Sequence, residues 1–138
     1  MKFTRKASAL WKGGGKEGSG TLSSASGVLE QTPYSFNTRF ADTKGTNPEE
    51  LVGAAHAGCF AMQLSFLIGE EGYTPDSLDV SAEVHFEDGK VTDIHLNLRG
   101  KVPGMQAEAF EKTAQKAKEV CPISNLLNAK IHLEAQLV

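Results

Sequence analysis

N-P-E-E-L-V-G-A-A-H-A-G-C-F-A-M-Q-L-S-F-L-I, residues 47–68, is the stretch on which the fold of this 138-residue chain turns. It opens with a helix-start signal. Asn47 can cap, and Pro48 suits the first helical position, where a backbone N–H would have no partner anyway. Glu50 falls at the capping-box position, and Glu49 and Glu50 put negative charge where the helix dipole favours it. The run that follows is apolar almost all round, which predicts a helix buried on most of its faces. It is also long enough to raise the question of a membrane span. His56, Gln63 and the small residues of its first half favour the core helix of a soluble protein. Cys59 sits well inside it. A thiol there is either inert packing or the centre of the chemistry.

The composition is that of one compact domain, and a single domain over residues 1–138 is expected. Forty per cent hydrophobic and 22% charged residues are ordinary globular values. A net charge of -3 and a pI near 5.8 argue against a general binder of nucleic acid or anionic membrane. Met1–Lys6 leads into a mixed segment and not into the apolar core of a signal peptide, so a cytoplasmic protein is expected. Two cysteines fit such a reducing compartment, where a pair is more often catalytic or redox-active than a structural staple.

Before the helix, residues 3–12 alternate as a half-buried strand, Gly13–Gly20 turns, and residues 21–24 return as its hairpin partner. The glycines lack the order of a phosphate loop. Residues 27–31 predict a third short strand ended by Pro33, and Ser35–Thr46 a loop carrying Phe36, Arg39 and Phe40. After the helix, Leu78–Phe86 and Val91–Val102 alternate around Asp88-Gly89, a strong hairpin signal. Glu108–Val120 reads as an amphipathic helix. Pro122 can start a second short helix over 123–127, and Lys130–Val138 closes the chain as a strand. Consecutive hairpins imply largely antiparallel sheet, hence class α+β, with the sheets around a long central helix.

Four groups bear on chemistry. Cys59 shares a helix face with His56 and Gln63. Mid-helix it gains nothing from the dipole, so its thiolate needs a cation from elsewhere. Cys121 stands 62 residues later, at an expected helix N-terminus. Arg39 lies in the aromatic loop just before the helix, and an ion pair with Glu49 would hold its guanidinium in a fixed fork. Glu49 precedes Cys59 by ten residues, about 15 Å along a straight helix, so it cannot touch that sulfur directly. Either Arg39 spans part of the gap, or a second chain contributes, or both. Metal binding finds no support in spacing. The histidines His56, His85, His95 and His132 fall in four separate elements, and the last three are expected to face solvent. No G-x-S-x-G is present for a serine hydrolase.

The motifs Y-S-F-N-T-R-F (34–40), G-T-N-P-E-E-L-V-G-A-A-H-A-G-C-F (45–60) and C-P-I-S (121–124) resemble the OsmC/Ohr family, on the OsmC side. The resemblance extends over nearly the whole chain, including the W-K-G-G-G-K-E-G-S-G-T hairpin. It implies a thiol peroxidase that reduces organic hydroperoxides, and hydrogen peroxide less well, in defence against oxidative and osmotic stress. Cys59 matches the peroxidatic cysteine, Cys121 the resolving one, and Arg39 and Glu49 the pair that activates the first. The implied assembly is an intertwined homodimer, its central helices back to back and its two sites at the subunit interface. Lipoyl-type dithiols are the implied reductants, with no metal or bound organic cofactor. Phe36, Phe40, Phe60, Met62 and Met105 are candidates for an apolar wall around the substrate. Two rival readings stand beside this one: a non-catalytic module for apolar ligands with both thiols merely packed, and a zinc-stabilised domain.

Overall fold

The computed structural model describes all residues, 1–138. The chain divides into two compact units, residues 1–51 and 52–138.

In the first unit, strands β1 (Ala7–Lys12), β2 (Ser19–Ser24) and β3 (Thr32–Tyr34) form an antiparallel sheet in that order. The third strand differs from expectation. Residues 27–31 are not a strand, and Pro33 lies inside β3, opposite Thr21. Strand β3 is an edge, where a residue lacking an N–H removes no ladder bond. Ser35–Thr46 also differs, because Phe36–Phe40 form a short helix, α1. Its start is a reciprocal cap: the Ser35 hydroxyl accepts from the Thr38 N–H, and the Thr38 hydroxyl accepts from the Ser35 N–H.

Helix α2 runs Pro48–Glu70, and Asn47 caps it, its Oδ1 2.8 Å from the Glu50 nitrogen. By length and composition α2 could cross a membrane. Only one of its sides is buried, through His56, Phe60, Leu64, Leu67 and Ile68, so the expectation of burial on most faces is not met within one chain. Met62 and Phe66, on the other side, are each more than 60% exposed.

In the second unit, α2 packs on a sheet ordered β4 (Ser77–Glu87), β5 (Lys90–Lys101), β6 (Lys130–Leu137). Asp88 and Gly89 both have positive φ, 50° and 80°, the backbone that a two-residue hairpin turn requires. Strand β6 pairs with β5 in parallel, His95 opposite His132, so this sheet is mixed, while the β1–β2, β2–β3 and β4–β5 pairings are antiparallel. A parallel return needs a crossover. Helices α3 (Ala107–Val120) and α4 (Pro122–Leu126) supply it. Ile94, Leu96 and Leu98 of β5 meet Phe60, Leu64 and Ile68 of α2 and Phe110, Ala114 and Ala117 of α3 in one core. Gly100 completes the fit: a Cβ there would collide with the Phe110 ring.

Candidate functional site

Cys59 and Cys121 come together. Cys59 lies three turns into α2 and is half-buried; Cys121 caps α4 and is wholly buried. Both are free thiols, and the Cys121 Sγ donates to the Cys59 Sγ at 3.0 Å. That is about 1 Å beyond disulfide bonding distance. The proline at 122 is what brings the second sulfur here. It ends α3 and starts α4 with Cys121 between them, in extended backbone.

Burial pushes the Cys59 thiol above its ordinary value, and the hydrogen bond with Cys121 adds to that. The backbone N–H of Ile123 acts in the opposite sense, by hydrogen bonding to the Cys59 sulfur. A backbone N–H left free at the start of α4 therefore serves the Cys59 sulfur. Opening of α4 by Pro122 is visible in sequence, but which sulfur its N–H groups face is not.

Sequence gave His56 no role. Its ring is fully buried one turn before Cys59, and its Nε2 lies 2.7 Å from the Ser124 Oγ. Burial lowers its tendency to protonate, so the ring is neutral at pH 7. Its Nδ1 is buried without a partner. An unmet lone pair is less costly than an unmet N–H, which favours the tautomer whose Nε2–H donates to Ser124. This bond ties α2 to α4 beside the two sulfurs. The signal was the serine of C-P-I-S, three residues after Cys121.

Arg39 and Glu49 also come together, within the first unit. Arg39 Nε lies 2.9 and 3.1 Å from the two Glu49 carboxylate oxygens, and Nη2 lies 2.7 Å from Oε1. The Asn47 side chain sets up this fork, since its Nδ2 donates to the Thr38 carbonyl of α1 while its Oδ1 caps α2. The hydrogen bond to Glu49 raises the Arg39 pKa further, so the guanidinium stays charged. The arginine is more than a third exposed, so the pair contributes orientation more than stability. A cleft of about 420 Å³ opens beside it, lined by Trp11, Lys16, Tyr34, Phe36, Arg39 and Phe40. Of the residues expected to form an apolar wall, Phe36 and Phe40 line this cleft. Phe60 and Met105 are core residues instead, and Met62 lies on the open side of α2.

Three of the four histidines, expected apart, lie on one face of the second sheet. The rings of His85 and His95 are 4.7 Å apart, and those of His95 and His132 4.3 Å. Strand register put them together, and no local spacing announces it.

A core helix carrying one half-open thiol, met by a second thiol from a crossover, defines a vicinal-dithiol protein of the α+β class. The chain belongs to the OsmC-like protein family, whose profile matches residues 41–136. It is 50% identical to the peroxiredoxin OsmC of Escherichia coli K12, covering 99% of both chains. It is 30% identical to an organic hydroperoxide resistance protein of Xanthomonas axonopodis pv. citri, covering 98% of this chain and 94% of that one. The crystal structure of OhrB, an organic hydroperoxide resistance protein of Bacillus subtilis, superposes with a TM-score of 0.73 at 28% identity, covering 97% of this chain and 98% of the other.

Proposed function

We propose that this chain is a thiol-dependent peroxidase that reduces organic hydroperoxides to alcohols, and hydrogen peroxide less well. The observation that carries the reading is the 3.0 Å approach of Cys59 and Cys121. The Cys59 thiolate attacks the terminal oxygen of the O–O bond, and the alkoxide leaves and takes a proton as the alcohol. Cys59 becomes a sulfenic acid. The Cys121 sulfur then attacks the Cys59 sulfur, water leaves, and the pair ends as a disulfide. An external dithiol restores both thiols by exchange and is itself oxidised. Electrons enter and leave through sulfur alone, so the cycle needs no metal or bound organic cofactor.

Arg39 supplies the cation that the Cys59 thiolate requires, and Glu49 fixes its orientation. Their three-contact fork supports that role. The working form is a homodimer. Ala55, Gly58, Met62 and Phe66, at the spacing of one helix face, leave an exposed small and apolar stripe on α2 for the same helix of a second copy. The reductant is a lipoyl-type dithiol, free or carried on a protein. The compartment is the cytoplasm, which keeps such a pair reduced. A module with inert cysteines does not account for two sulfurs in contact, one of them open to solvent.

Thiol titration before and after one equivalent of cumene hydroperoxide tests this reading. The expected result is loss of both thiols per chain, abolished in Cys59→Ser. Unchanged thiols would refute it.

A further inference from the structure

The outer face of the β4–β5–β6 sheet gathers ligand chemistry that the dithiol cycle does not use. Alternation turns Glu83 and His85 of β4, Asp93 and His95 of β5, and His132 and Glu134 of β6 away from the core residues Ile94 and Leu96. Register then lines them up in two adjacent rows: His85 beside Asp93, and Glu83 beside His95 beside His132. Residues directly opposite on neighbouring strands hold their Cβ atoms about 5 Å apart, on a backbone fixed by the ladder.

We propose that Asp93, His95 and His132 form a binding site for a divalent first-row transition metal of the zinc type. One ligand atom from each lies within 4.8 Å of the other two. The closest pair, His132 Nε2 and Asp93 Oδ1, is 2.7 Å apart. Neighbouring ligand atoms around tetrahedral zinc stand about 3.3 Å apart, given bonds of about 2.0–2.1 Å. All three side chains are half-buried, so small side-chain rotations about fixed backbone supply the closure. Two imidazoles and one carboxylate suit zinc, nickel or copper, and disfavour magnesium or calcium, which prefer all-oxygen sites.

Further details fit. The His95 and His132 rings lie nearly parallel, 10° apart, and the His85 ring packs against His95 from the other side, which restrains the middle imidazole. The Asp93 carboxylate already accepts a hydrogen bond from His132 across the site. Metal binding would displace the shared proton. A shallow polar hollow lined by Glu83, His95, Asn97, Lys118, His132 and Glu134 leaves room for water at the remaining positions. Lys118 is the one cation lining that hollow, beside Glu83 and Glu134, and Lys130 lies opposite Asp93 in the neighbouring row.

The test is calorimetric titration of untagged, chelator-treated protein with zinc chloride. A Cys59→Ser/Cys121→Ser background denies the metal its thiol alternative. One zinc per chain is expected, weakened at least about tenfold by His95→Ala and by His132→Ala. No binding, or binding unchanged when both imidazoles are removed, overturns the proposal. Circular dichroism checks that the variants fold. As a measurement independent of them, copper(II) on the same thiol-free protein is expected to show electron spin echo modulation from imidazole nitrogen. Oxygen-only coordination there overturns the proposal equally.

Discussion

Removing the Ser124 hydroxyl tests how the two cysteine-bearing helices are held together. In Ser124→Ala the His56 Nε2 loses its partner at 2.7 Å, while its Nδ1 already has none. A wholly buried imidazole would then have both nitrogens unmet. Leaving a buried polar group unsatisfied costs about 1–3 kcal/mol. Ser124 is itself half-buried, so water can reach part of the gap, and a loss of about 1–2 kcal/mol is expected. Urea unfolding of the reduced protein reads this as a midpoint lower by about 0.5–1 M, for a slope near 2 kcal/mol/M. A double-mutant cycle with His56→Ala separates the pair from the rest. A kinetic consequence accompanies it. Ser124 lies on the same short helix that Cys121 opens, so loosening it should slow disulfide closure after peroxide addition while leaving the first oxidation unchanged. Stopped-flow fluorescence can resolve the two phases. A variant within about 0.5 kcal/mol of its parent, closing its disulfide at the parental rate, would falsify the view of this bond as a brace.

Four further outcomes are expected. Arg39→Met should cut the rate of the first oxidation by about ten- to a hundredfold, as loss of a charged hydrogen-bonding partner does, yet shift stability by less than about 1 kcal/mol because the pair is exposed; parental peroxide kinetics would remove Arg39 from the mechanism. Cys121→Ser should consume one equivalent of peroxide and stop, with a sulfenic acid trapped by dimedone, and continued cycling with a dithiol would contradict its resolving role. Gly100→Ala should destabilise the fold by about 1–3 kcal/mol through collision with Phe110, read by thermal unfolding. The pH dependence of stability should show His56. Its folded pKa is depressed, so the unfolded chain takes up a proton first as pH drops below about 6.5, and stability falls from there down to the folded value; His56→Gln should flatten that decline.

The central helix was legible because its signals are local: a cap at Asn47, a proline at the first position and an unbroken apolar run. The Asp88-Gly89 hairpin and the α3 helix were legible for the same reason. The four residues singled out for chemistry fall into two contacting pairs, Cys59 with Cys121 and Arg39 with Glu49. What escaped depends on partners distant in sequence. Parallel pairing of β6 follows from the crossover, and alternation within β6 reads the same in either direction. Pro33 looks like a strand end because the sequence does not mark β3 as an edge. The role of Ser124 and the convergence of three histidines needed the register of elements dozens of residues apart.

The parallel seat of β6 beside β5 also has a consequence for biosynthesis. Cys121 belongs to the connection that β6 must anchor, and β6 is the last strand of this sequence to leave the ribosome. While the 62 residues that follow it up to Cys121 are added, Cys59 is present without its companion, on a segment that has yet to find its neighbours. Sulfur oxidised during that interval has nothing to capture it and can pass on to irreversible acids. Cells making this protein under oxidant stress should therefore accumulate damaged nascent chains, while molecules completed beforehand keep cycling.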